Sequence, residues 1–195
     1  DAFRERTRIG DLGRVKLSDR IVMRVAHERG GAAPILLREA SFDRYRGGEW
    51  LNADRRFVPV AGDGGRWRIG AEAPAPHALV IRRALPGGEG LLALPAGLQS
   101  IEALPAARVE RLAVGTTRVL GTPRWLAFRV GYDEGSTVAA SISASDLEVP
   151  EAFQAALDRV ITDEGLTGLS PAATQAAVER FFATHFAYTL ALGDR

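Results

Sequence analysis

The chain has 195 residues, 46% of them hydrophobic and 25% charged, which is enough apolar material for a buried core and enough charge of both signs for a solvated surface. Twenty-five basic against 24 acidic residues leave a net charge of +1, so there is no broad basic footprint for nucleic acid. The absence of cysteine excludes a disulfide framework, a thiolate zinc site and a cysteine nucleophile within these residues.

A chain of this length accommodates one β-rich body with a short helical tail. Its longest apolar stretches, such as Ala78 to Ile81 and Leu91 to Leu94, fall far short of the roughly 18 residues that signal a membrane span. Lys16 is the only lysine, a bias that reflects coding composition rather than a task for guanidinium groups. The chain opens at Asp1 with neither an initiator Met nor a signal peptide, which reads as an excised segment.

Residues 1–18 are polar, contain Gly10 and Gly13, and read as an extended lead-in. From Ile21 the alternation of Ile21, Met23 and Val25 predicts a half-buried strand and the first strand of the core. Gly30, Gly31 and Pro34 interrupt it, and a second strand is expected from Ile35 to Tyr45, closed by a turn at Arg46-Gly47-Gly48 that delivers Trp50 to the next segment. Further strands are expected at 56–60, 66–69, 77–84, 90–94, 108–114, 117–120, 125–132 and 137–142. Gly62-Asp63-Gly64-Gly65, Pro86-Gly87-Gly88 and Gly121-Thr122-Pro123 punctuate them at short spacing. That rhythm predicts an antiparallel, sandwich-like β body.

The pattern changes near residue 148. Pro150 suits the first position of a helix, and Phe153, Leu157, Val160 and Ile161 share one face of it before Gly165. A second helix is predicted with Ser170 as N-cap and Pro171 at its first position, running through Ala172, Ala173, Ala176, Ala177, Val178, Phe181 and Phe182. Strand-like residues return at Phe186 to Ala191. The expected class is mainly β with a C-terminal pair of helices, α+β overall, divided into a β body at 1–148 and a helical segment at 149–195.

Three stretches in order carry a family resemblance. The first is Gly10-Asp11-Leu12-Gly13 followed by Leu17-Ser18-Asp19, the second Phe42-Asp43-Arg44-Tyr45-Arg46-Gly47-Gly48-Glu49-Trp50. The third is Val178-Glu179-Arg180-Phe181-Phe182 with Phe186-Ala187-Tyr188-Thr189-Leu190. Together they resemble bacterial transglutaminase-like proteins of the TgpA type, in which membrane helices precede an extracytoplasmic region containing a papain-like Cys-His-Asp core. The resemblance implies that the catalytic residues lie downstream of the third stretch, so none can be assigned to a position here. It implies a non-catalytic accessory region, on the periplasmic or outer side of the bacterial inner membrane, that supports or shields a core acting on protein amide groups. Residues 149–195 would then be the helical start of that core. The implied partners are the downstream core of the same polypeptide and envelope proteins or peptides. Self-association through the helical face is also open, and no cofactor is implied. The alternative is a stand-alone β module that binds peptide, glycan or an envelope protein.

Bottom-up, few side chains suggest chemistry. Trp50, Trp67 and Trp125 could form an aromatic binding surface, although burial in a small β core is the commoner fate of such side chains. The accessory reading expects them mostly buried, whereas a binding module would gather them in a concave patch. His185 should interact with the C-terminal dipole of the second helix, and His27 and His77 lack companions at metal-ligand spacing. Asp43 and Glu49 read as turn carboxylates paired with Arg38, Arg44 or Arg46, and Ser141, Ser143 and Ser145 as solvent-facing. Gly62 to Gly65 lacks the residues of a phosphate or calcium loop and reads as a hairpin turn.

Overall fold

The computed structural model describes residues 6–8, 21–28, 36–70, 74–135 and 144–187. In chain order the strands are β1 (Arg6–Arg8), β2 (Met23–His27), β3 (Leu37–Arg38), β4 (Arg44–Arg46), β5 (Glu49–Leu51), β6 (Val58–Pro59), β7 (Gly62–Asp63), β8 (Arg66–Arg68), β9 (His77–Ala84), β10 (Glu89–Leu91), β11 (Leu94–Pro95), β12 (Leu98–Glu102), β13 (Arg108–Arg111), β14 (Thr117–Leu120) and β15 (Trp125–Tyr132). A 3-10 turn at Ala144–Leu147 leads to helices α1 (Glu151–Asp163) and α2 (Pro171–His185). The protein is therefore β-dominant α+β, with antiparallel sheets followed by two helices.

The main sheet has six strands in the order β2-β9-β15-β12-β8-β7, and a second has four in the order β10-β14-β13-β6. Three strands, β1-β5-β4, and two, β11-β3, make smaller sheets. Period-two alternation decides which face of the main sheet is buried. On β9 it turns Leu79 and Ile81 inward, and on β15 Leu126, Phe128, Val130 and Tyr132, with Phe128 opposite Ile81 and Val130 opposite Leu79. Val109 and Val119 from the four-stranded sheet join the same core cluster, so the two sheets share one apolar interior, as in a sandwich. Full burial of each such side chain contributes roughly 1.5–3 kcal/mol.

Strands β9, β14 and β15 have the bounds expected from the sequence. Strand β12 is not legible in that way. Its register shifts between Leu98 and Ser100, a bulge that lets Leu98 and Ile101, three residues apart, both reach the core. The segment beginning at Ile21 departs from expectation too. β2 is the edge of the main sheet, only Met23 packs against the core, and Ile21 and Val25 are exposed. The strand expected over 35–45 is broken into β3 and β4, because the Ser41 N–H donates to Thr116 Oγ1 at 2.9 Å instead of to a neighbouring strand. The expected strand at 137–142, Ser141 and Ser143, most of the lead-in, and the residues from Tyr188 onward lie outside the described residues.

Both helices are bounded by local chemistry. Pro150 is the N-cap of α1 rather than its first residue. After Glu164, Gly165 adopts φ +60°, its N–H reaches Thr162 O, and the Leu166 N–H reaches Ile161 O, the paired bonds of a Schellman ending. In α2 the Ser170 hydroxyl accepts from the Ala173 N–H at 3.3 Å and Pro171 takes the first position, as the sequence predicts.

Candidate functional site

Strands β4 and β5 form a hairpin whose turn requires positive φ at two successive residues, met by Gly47 (+60°) and Gly48 (+81°). The pairing sets Tyr45 directly opposite Trp50, and their rings sit 5.2 Å apart between centroids at a 50° tilt. Tyr45 continues the aromatic chain to Phe153 on α1, with centroids 5.6 Å apart. Arg44 pairs with Glu148 at 3.5 Å just before that helix. Asp43 Oδ1 accepts from the Ala53 N–H at 2.7 Å, so this carboxylate closes the base of the hairpin through a backbone amide rather than through the expected arginine. The aromatic-glycine-tryptophan segment thus docks the first helix against the β body.

That contact covers little of the helices. No residue of α1 is buried; Phe153, Leu157 and Ile161 remain 42%, 43% and 40% exposed along one face. In α2 only Ala177 is buried, while Phe182 and the following Phe186 are largely exposed. Phe181, Phe182 and Phe186 instead stack on one another, Phe182 and Phe186 with centroids 5.0 Å apart.

The three tryptophans do not form a common surface. Trp67 is buried at 6% exposure within the core, and Trp50 is half-buried in the small three-stranded sheet. Trp125 is 61% exposed at the start of β15. Trp67 and Trp125 belong to the same sheet but face opposite ways. Trp67 lies level with the buried pair Ile101 and Val130, whereas Trp125 shares the outer parity of Ala127 and Arg129. The expectation that the tryptophans are mostly buried therefore holds fully for Trp67 alone. Nor do the three make a concave patch.

The outer face of the main sheet carries a charge ladder. Arg66 pairs with Glu102 at 3.2 Å, Glu102 with Arg129 at 3.0 Å, and Arg129 closes on both oxygens of Glu28 at 2.8 and 2.9 Å. On the four-stranded sheet, buried Glu110 accepts from Arg118 Nε at 2.9 Å and lies near Arg108, while the Arg118 guanidinium stands 4.0 Å above the Phe57 ring. The Arg118 hydrogen bonds hold the Glu110 carboxyl below its ordinary pKa, against the opposing effect of burial.

The histidines stay apart. His185 Nδ1 lies 3.0 Å from Phe181 O at the end of α2, His77 stacks on Tyr132, and His27 ends β2. Among the described residues no group of three or more His, Asp or Glu side chains is placed to hold a metal. Gly64 (+54°) and Gly65 (+85°) make the turn between β7 and β8, as their positions suggest. Gly62 has a different use that sequence reading missed: it leaves space for the Trp67 indole, which any side chain there would strike.

Compared with protein-family models, curated proteins and solved structures, the chain matches none. Among the described residues no helix is long and apolar enough to cross a membrane.

Proposed function

We infer that this chain is the accessory, extracytoplasmic region of a membrane-anchored transglutaminase-like protein, and that α1 and α2 are the opening helices of that protein's core. The observation that carries the reading is the apolar face of α1. Phe153, Leu157 and Ile161 lie on one side of a helix closed at its C-terminus by Gly165, and none of them is buried. Exposed apolar surface of this kind marks a face that packs against something further. The hairpin fixes that face through Tyr45 and Phe153, so the β body serves as a platform that holds the start of the core in position. Without cysteine, the chain supplies no thiol nucleophile, and the acyl-transfer or hydrolytic chemistry of the whole protein resides in residues beyond these.

The rival reading, a free-standing module that binds peptide or glycan through its tryptophans, loses its main support because Trp50, Trp67 and Trp125 do not converge. The test is the reading frame on either side of the chain. Apolar spans upstream, with a Cys followed by His and Asp downstream, are the expected result. A stop codon directly after Arg195 with no spans upstream overturns the reading.

A further inference from the structure

Two arginines from different sheets meet over a glycine. Arg38 comes from β3, and Arg111 ends β13 on the side of buried Val109, which leaves it half-buried. Between them stands Gly115, at φ +90° in the turn before β14. A side chain at Gly115 would begin 3.2 Å from Arg38 Nη2 and 3.3 Å from Arg111 Nη2. The two guanidinium groups therefore approach each other on the Cβ side of Gly115, where a side chain would crowd them.

The geometry also fixes which hydrogens remain available. Arg111 donates Nε to Gly115 O at 3.3 Å, an anchor that orients its plane and, among the described residues, leaves its terminal nitrogens unspent. Neither Arg38 nor Arg111 pairs with a carboxylate among the described residues, and the acidic residues next to them in sequence are engaged elsewhere. Glu39 pairs with Arg83 at 3.2 Å, and Glu110 with Arg118. Burial, and after it the neighbouring charge of Arg38, depress the Arg111 pKa. Paired guanidinium forks are the usual protein receptor for the oxygens of a carboxylate or phosphate.

We propose that Arg38 and Arg111, facing one another across Gly115, form a receptor for a single oxyanion, a phosphate or carboxylate group whose oxygens bridge the two guanidinium groups. The anion removes the repulsion between them and ties β3 to the β13–β14 turn.

The test is calorimetric titration of the whole chain with inorganic phosphate and, separately, with acetate, at ionic strength held constant with sodium chloride. The expected result is saturable binding of one anion per chain by at least one of the two, weakened tenfold or more by Arg38→Ala and by Arg111→Gln. Tighter phosphate binding identifies a phosphoryl ligand, and tighter acetate binding a carboxylate. Arg38 is exposed, so Arg38→Ala keeps the test valid even if Arg111→Gln perturbs folding, with circular dichroism as the check. Absence of saturable binding by both anions, or undiminished binding by folded Arg38→Ala, overturns the proposal.

Discussion

Phe153 of α1 stacks on Tyr45 of the β4–β5 hairpin with ring centroids 5.6 Å apart, a contact that spans more than a hundred residues of chain. Tilted aromatic pairs contribute about 0.5–1.5 kcal/mol beyond their area. A double-mutant cycle on Phe153→Ala and Tyr45→Ala should return a coupling energy in that range. Hydrogen exchange should locate the effect. In Phe153→Ala the amides of α1 exchange faster, while those of β9 and β15, in the core, keep their protection.

Gly62→Ala should destabilise the protein by about 1–3 kcal/mol, the usual range for overpacking. Gly62 does not have positive φ, so backbone strain is not the cause; the new methyl strikes the five-membered ring of the Trp67 indole. Trp67→Ala removes the whole ring system. The Gly62→Ala substitution should therefore cost markedly less in a Trp67→Ala background, measured by urea unfolding. Equal costs in both backgrounds would assign the effect to something other than the collision.

Glu110 makes stability depend on acid. Its carboxyl is held below the ordinary pKa by the Arg118 hydrogen bonds, so its contribution is complete above the unfolded value of about 4.3 and is lost as pH falls through the lower folded value. Glu110→Gln should cost about 2 kcal/mol at neutral pH, the scale of a hydrogen bond to a charged group. Between pH 5 and pH 2 the wild-type protein should lose stability more steeply than the variant. Parallel pH profiles would mean that Glu110 has no shifted pKa in the folded state.

The elements legible in the sequence are those in which one physical signal acts alone. Short apolar runs bounded by glycine and proline turns mark β9 and β15, paired glycines mark the turn at Gly47 and Gly48, and Ser170-Pro171 marks the start of α2. Where a second effect intervenes, the pattern misleads. The bulge at Gln99 breaks the alternation of β12, so Leu98 and Ile101 look unrelated although both are buried. Ile21 and Val25 alternate like core residues, but a strand at a sheet edge leaves them exposed. For the candidate site, composition nominates Trp50, Trp67 and Trp125, yet their surroundings are set by pairings distant in sequence. The Arg38 and Arg111 pair depends on two elements more than seventy residues apart, and only Gly115, as a glycine between strands, leaves a trace of it.

Leu157 and Ile161 bear most directly on the proposed function, because their face of α1 is held by the C-terminal Gly165 ending and by Phe153 although no residue of the helix is buried. In this chain the double substitution Leu157→Ser and Ile161→Ser should change unfolding stability by no more than about 0.5 kcal/mol beyond its helix-propensity cost, as for surface positions. Ile81→Ala, in the core, should cost roughly 2–5 kcal/mol and serves as the contrast. In a polypeptide extended by the proposed core the outcome should reverse. If α1 packs into a following core, the same serine pair creates polar, underpacked positions at that junction and should cost about 2 kcal/mol or more there. A neutral effect in both contexts would leave the helical face without a structural partner and would remove the observation on which the accessory reading rests.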